Sequence, residues 1–190
     1  MHIGVLGGSF DPIHNAHLIV AQLAREQLGL DAVRFVVAAE QPHKTDGHHA
    51  HGADRAEMVA LALKGSRGLE LDRSELERTG LSYTVDTLRH FRATMPEARF
   101  VLLLGADAAA KFLTWHQPAE IRRLCQVAVF RRAGMAAPGG FDLAVDIPAI
   151  DISSTAIRER VSAGRPLNGW VPDAVGDYIS GLRLYRSVRA

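Results

Sequence analysis

The stretch Gly7-Gly8-Ser9-Phe10-Asp11-Pro12-Ile13-His14-Asn15-Ala16-His17 constrains the fold more than any other part of the chain. An apolar run, Ile3-Gly4-Val5-Leu6, leads into it. Leu18, Val20, Ala21, Leu23, Ala24 and Leu28 leave it at helical spacing, and Gly29 suits the helix end. A strand therefore passes through a glycine turn directly into a helix. Such a junction is an anion site, because unpaired backbone N–H groups and the positive end of the helix dipole converge on one point. Lacking a Cβ, Gly7 and Gly8 let a triphosphate approach the backbone. His14 and His17 at the helix entrance can donate to phosphate oxygens, and a bound phosphate favours their charged forms.

The remainder repeats the alternation. Strands are expected at residues 33–38, 69–71, 100–104, 127–130 and 143–147. Helices are expected at 56–63 behind an Asp54 cap, at 83–95, at 107–113, and at 119–124 after Pro118. Two more are expected, from Ser153 or Ser154 through Val161 and from Asp173 through Ile179. Residues 40–53 and 134–140 read as loops. Strand–helix alternation implies a parallel sheet covered on both faces, so the expected class is α/β, one doubly wound domain over residues 1–190. Ligands belong at the carboxyl ends of its strands, where the strand order switches.

Composition narrows the function classes. With 22 basic and 21 acidic residues the net charge is +1, which argues against binding a nucleic-acid polymer or a membrane surface. No run approaches a membrane span, and Gly7-Gly8-Ser9 cuts the first apolar run too short for a signal peptide, so a cytoplasmic protein is expected. The single Cys125 excludes an internal disulfide and reads as a buried thiol. No metal ligand set is assigned: His14 and His17 lack the further ligands and the glutamate of a zinc-protease pattern. The turn is neither a Walker loop, since no G-K-[ST] follows, nor G-x-G-x-x-G, and no nucleophile elbow surrounds Ser9.

The same stretch, with its two histidines, resembles the signature of the nucleotidyltransferase superfamily, a glycine turn followed by H-x-G-H. Within that superfamily it is similar to the bacterial nicotinate-nucleotide adenylyltransferases, whose pattern is G-G-[ST]-F-D-P-x-H-x-G-H; here Ala16 stands where the family has glycine. Further blocks resemble that family in order along nearly the whole chain. Gln41-Pro42-His43-Lys44 matches P-H-[KR], and Ser82-Tyr83-Thr84-Val85-Asp86-Thr87-Leu88 matches S-Y-T-x-x-T-L. Gly105-Ala106-Asp107 and Trp115 have counterparts, although His116 replaces a residue that is often aromatic. Arg131-Arg132-Ala133-Gly134 resembles R-R-P-G, and Ile152-Ser153-Ser154-Thr155-Ala156-Ile157-Arg158 matches I-S-[SA]-T-x-[IV]-R; Arg160 beyond it is expected to face solvent.

The resemblance implies a Rossmann-like fold and adenylyl transfer from ATP to nicotinate mononucleotide in NAD biosynthesis. It implies an ATP site of Gly7, Gly8, Ser9, Phe10, Gly105, Asp107, Ser153 and Thr155, with Asp107 on the ribose hydroxyls. His14 and His17 would hold the α and β phosphates, and Lys44, Thr155 and Arg158 the departing pyrophosphate. Tyr83 and Thr84 would present amides to the nicotinate carboxylate, and Trp115 would stack on the pyridine ring. Mg²⁺ would arrive with ATP, bridging phosphate oxygens. The nucleophile, a phosphate monoester with a second pKa of about 6, needs no general base. The competing readings are a sister transferase acting on nicotinamide mononucleotide or phosphopantetheine, and a non-catalytic nucleotide sensor. Thr84, Trp115 and the 152–158 block favour the nicotinate reaction, and the intact histidine pair argues against a sensor. A homo-oligomer is compatible with the sequence.

Overall fold

In each strand of the central sheet, successive side chains point to opposite faces, and in the inner strands both faces are mainly apolar. The computed structural model describes residues 1–39, 49–78, 80–132 and 139–186. Lys44, with the rest of its motif, and Ala133-Gly134 lie outside these residues. The strands are β1 (His2–Gly8), β2 (Ala32–Val37), β3 (Leu69–Asp72), β4 (Arg99–Leu104), β5 (Gln126–Arg132) and β6 (Leu143–Ile147). They form one six-stranded sheet in the order β3-β2-β1-β4-β5-β6, and every pairing is parallel. The expected doubly wound α/β class is the observed one.

The helices are α1 (Asn15–Gln27), α2 (Gly52–Leu63), α3 (Thr84–Thr94), α4 (Ala106–Ala110), α5 (Pro118–Leu124), α6 (Ser154–Ser162) and α7 (Asp173–Gly181). Phe35, Val37, Val101, Leu103 and Phe130 point to a core shared with α1, α2, α6 and α7. Val5, Val36, Phe100, Leu102 and Val129 point the other way, to a core closed by α3, α4 and α5. Burial on both faces explains why the inner strands read as mostly apolar runs. Gly4 belongs to the first face: a Cβ there would meet Leu30 Cδ1 at 2.8 Å.

Some helix ends differ from expectation. α1 begins at Asn15, earlier than its apolar pattern, because the His17 ring accepts the His14 backbone N–H and caps the first turn. Asp54 does not cap α2; His51 holds that position, and Asp54 instead accepts the Tyr178 hydroxyl at 3.0 Å, tying α2 to α7. The expected helix over 107–113 breaks after α4 into a 3-10 turn, Phe112–Thr114, which carries Phe112 into the core under the Arg122 guanidinium. Arg160 is not simply solvated: it donates to the Pro166 carbonyl and lies over the Trp170 ring at 4.6 Å. Cys125 is buried as expected, and burial pushes its thiol pKa up to about 12. No helix among the described residues is long and apolar enough to cross a membrane.

Candidate active site at the sheet switch point

Chain order reverses between β1 and β4, so the segments leaving their carboxyl ends diverge to opposite faces and leave a crevice. The glycine turn leaves β1 and Gly105 leaves β4 at this point. A cleft of about 1020 Å³ opens there, large enough for a ligand of dinucleotide size. Gly7, Gly8, Phe10, Ala16 and His17 border it from β1 and α1; Gly105, Asp107 and Lys111 border it from the β4 side. Tyr83, Thr84, Trp115 and His116 also line it, as do Arg131 and Arg132.

The two glycines of the turn do different jobs. A Cβ on Gly7 would meet nothing within 4 Å among the described residues, so the backbone there is bare towards the cleft. A Cβ on Gly8 would meet the Phe10 ring at 3.0 Å, so Gly8 makes room for Phe10. Phe10 itself has φ +46°, an unusual left-handed backbone for a phenylalanine. Its buried ring stands edge-on to His17 with centroids 5.1 Å apart. The Ala16 methyl, at the position where the family has glycine, is on the cleft wall beside His17.

His17 is the best-defined polar group of the site. Its Nδ1 accepts the His14 backbone N–H at 3.3 Å, which requires that nitrogen to be unprotonated. The neutral ring therefore carries its proton on Nε2, leaving an N–H donor for a ligand. Burial, and secondarily His14, hold its pKa well below the ordinary value, so the ring is neutral at pH 7. The His14 ring stacks on His17 with centroids 3.7 Å apart, but His14 is 5 % exposed and does not border the cleft. Its buried Nδ1 has no hydrogen-bond partner among the described residues, and burial lowers its pKa to about 4.

This histidine pair makes the protein acid-sensitive. Between pH 6.5 and about 4 the unfolded chain binds a proton at His14 that the folded chain rejects, so stability is complete above 6.5 and declines as pH falls. His14 alone accounts for a loss of about 3 kcal/mol across that window. Denaturant unfolding at pH 7 and at about pH 4.5 measures it, and His14→Gln is expected to show a visibly smaller drop.

The second helix terminus predicted as an anion site lies against the turn. Ser154 Oγ donates to the Pro12 carbonyl at 2.9 Å, and Arg158 Nη1 donates to the Asp11 carbonyl at 2.8 Å. Arg158 Nη2 also donates to Thr155 Oγ1 at 3.2 Å. Ser153 caps α6 by accepting the Ala156 N–H. Ser9, Ser153, Thr155 and Arg158 thus cluster around the turn, outside the cleft wall that holds His17.

Across the cleft, Asp107 sits in the first turn of α4 and is not its cap, which is Gly105. Asp107 is exposed and has no hydrogen bond or ion pair among the described residues, so its carboxylate is free for hydroxyl donors. Tyr83 caps α3, and its ring packs on His116 with centroids 4.5 Å apart, so His116 serves as an aromatic wall despite its polarity. Trp115 leans on Phe112 at 5.7 Å while bordering the cleft.

Two charged residues that line the cleft lie outside these motifs, Lys111 and Glu75. Lys111 lies four residues beyond Asp107, and that spacing could have revealed it as a cation on the same wall. Glu75 is 8 % exposed and accepts the Thr87 hydroxyl at 2.6 Å, while Arg78 donates to Thr87 Oγ1 at 2.6 Å. Burial raises the Glu75 pKa against these hydrogen bonds. No sequence motif marked it, because the segment reads as a polar loop.

Comparison with known proteins shows the family to which the chain belongs. Residues 5–160 match the Cytidylyltransferase-like family. A Bacillus pumilus protein named "Probable nicotinate-nucleotide adenylyltransferase" is 37% identical over 186 residues, covering 97% of this chain and 98% of its own. A Gemmatimonas aurantiaca protein of the same name is 39% identical over 203 residues, covering 98% and 93%. In structure, the Plasmodium falciparum nicotinic acid mononucleotide adenylyltransferase complexed with NaAD superposes with a TM-score of 0.76 at 19% identity, covering 97% of each chain. The chain belongs to the cytidylyltransferase-like nucleotidyltransferases, and within them to the nicotinate-nucleotide adenylyltransferases.

Proposed function

We propose that the protein transfers the adenylyl group of ATP to nicotinate mononucleotide, giving nicotinate adenine dinucleotide and pyrophosphate, as a step of cytoplasmic NAD biosynthesis. The observation that carries this reading is the His17 imidazole, held as an Nε2–H donor beside the bare Gly7 backbone on the wall of a cleft that also holds Asp107, Tyr83 and Trp115. ATP lies with its phosphates over the glycine turn and its ribose hydroxyls on Asp107. The pyridine stacks on Trp115, and its carboxylate meets the free amides at the α3 N-terminus next to Tyr83 and Thr84. The nicotinate mononucleotide phosphate attacks the α-phosphorus in line, and pyrophosphate leaves.

Catalysis in this reading is alignment and charge neutralisation. His17 donates to the α-phosphate as negative charge shifts onto its oxygens, and His14 supports that ring by stacking. Arg158 and Thr155, joined to each other and to the turn at the α6 N-terminus, would meet the departing pyrophosphate where it emerges past the cleft wall, and Lys44 would join them on the strength of its motif. Among the described residues no group of three histidine, cysteine or acidic side chains is placed to hold a metal ion. Mg²⁺ bound to ATP supplies charge neutralisation at the phosphates.

A coupled pyrophosphate assay with ATP, Mg²⁺ and nicotinate mononucleotide tests the reading. It predicts stoichiometric dinucleotide and pyrophosphate, with turnover abolished by EDTA. A nucleotide sensor would bind ATP and release no pyrophosphate.

A further inference from the structure

Arg55, in α2, is 1 % exposed and is the largest fully buried side chain among the described residues. It does not border the cleft, and the proposed reaction has no use for it. A guanidinium at this depth persists only when its donors are satisfied. Its three partners among the described residues are backbone carbonyls from three separate segments. Nη1 donates to Ser9 at 2.7 Å, Nε to Ala50 at 3.2 Å, and Nη2 to Ala39 at 3.5 Å. The nearby Asp11 carboxylate is 0 % exposed and accepts the His49 N–H at 2.7 Å, the Ala50 N–H at 3.2 Å and the Tyr185 hydroxyl at 2.7 Å. Ser9 and Asp11 are therefore both anchored from beneath, and Arg158 grips the Asp11 carbonyl from the side.

Phe10 is the residue between these anchors. Its left-handed backbone is held by fixing the residue on either side, and its ring is the edge-on support of His17. We infer that Arg55 is a positioning residue for His17, acting through residues 9–11 of the turn, with Tyr185 reinforcing the Asp11 anchor. Releasing Ser9 lets Phe10 leave its strained conformation, and the His17 ring then loses the wall that fixes its angle. Small displacements of a group that must meet a transition state cost rate more than substrate binding.

The inference rests on the proposed reaction, and its test pairs a kinetic readout with one that needs no turnover. Arg55→Lys keeps the charge but cannot span three carbonyls. It is expected to lower kcat by about tenfold or more, with KM for nicotinate mononucleotide within about threefold of wild type. Nitrogen-15 spectra of the His17 ring should change from a single Nε2–H tautomer to a mixture. Tyr185→Phe removes one hydrogen bond to Asp11 and should produce the same spectral change with a loss in kcat of about threefold. If Arg55→Lys does not fold, Tyr185→Phe decides by itself. Folded variants with wild-type kcat and a wild-type His17 spectrum overturn the inference, as does a lowered melting temperature with both readouts unchanged. If wild-type protein forms no dinucleotide, the proposed reaction fails, and the His17 spectra still decide whether Arg55 positions the ring.

Discussion

His17→Ala lowers kcat at least ~100-fold while the protein stays folded, the range expected when a donor aimed at developing transition-state charge is removed. His17 presents a neutral Nε2–H whose tautomer is fixed by the His14 backbone N–H, so no proton must be rearranged when charge develops on phosphate. The cost in stability is small by comparison. The substitution frees one backbone N–H at the start of α1 and removes one stacked ring, about 1 kcal/mol for the lost hydrogen bond. KM for nicotinate mononucleotide should move only a few-fold, because its proposed contacts lie on α3 and around Trp115. Steady-state kinetics beside a thermal melt separate the two effects. Near-normal turnover in a folded variant removes His17 from the mechanism.

Gly7→Val is expected to act on ATP with the opposite signature. Among the described residues a Cβ at Gly7 has no atom within 4 Å, and its φ is not positive, so the first side-chain carbon meets no clash and the backbone suits a residue other than glycine. At the end of a buried parallel strand a β-branched residue is compatible with the backbone, and losing glycine's freedom in the unfolded chain favours folding. The isopropyl group then occupies the space in which the proposed triphosphate meets the backbone. Overpacking of about 2–3 kcal/mol corresponds to about 100-fold in affinity. KM for ATP should rise by about that factor with the melting temperature unchanged or higher. An unchanged KM would mean that the phosphates do not pass over Gly7. The same change at Gly8 reports on folding instead, since its Cβ would strike the Phe10 ring.

The contrast between these glycines marks how far the sequence is legible. Apolar runs broken by helical periodicity identify the six strands of the described residues and their parallel arrangement, because the central strands β1, β2, β4 and β5 are buried on both faces and read as mostly apolar, while the edge strands β3 and β6 keep charged residues. The turn, the α3 entrance, Asp107 and Trp115 were visible as motifs, and topology alone brings them to one crevice. What the sequence hides is long-range convergence. Arg55 sits in an amphipathic helix, where an arginine ordinarily faces solvent; its burial follows from carbonyls contributed by residues 9, 39 and 50. Tyr185 joins Asp11 across 174 positions of chain, and no local pattern encodes that. The first turn of α1 lies before its apolar pattern for a related reason: a histidine reaching back to cap a helix carries little signal in propensity, which favours serine, threonine, aspartate and asparagine. His14 and His17 looked equivalent in sequence, yet one borders the cleft and the other packs behind it.

Pyrophosphate release from ATP, compared side by side with nicotinate mononucleotide, nicotinamide mononucleotide and phosphopantetheine, tests the central claim most directly. A cleft that meets the pyridine carboxylate with the free amides of the α3 N-terminus gains a charge-assisted interaction that the amide analogue cannot make. The account predicts rapid release with nicotinate mononucleotide, a kcat/KM at least about tenfold lower with nicotinamide mononucleotide, and none with phosphopantetheine. Comparable rates with the two pyridine nucleotides, or faster release with phosphopantetheine, would contradict it.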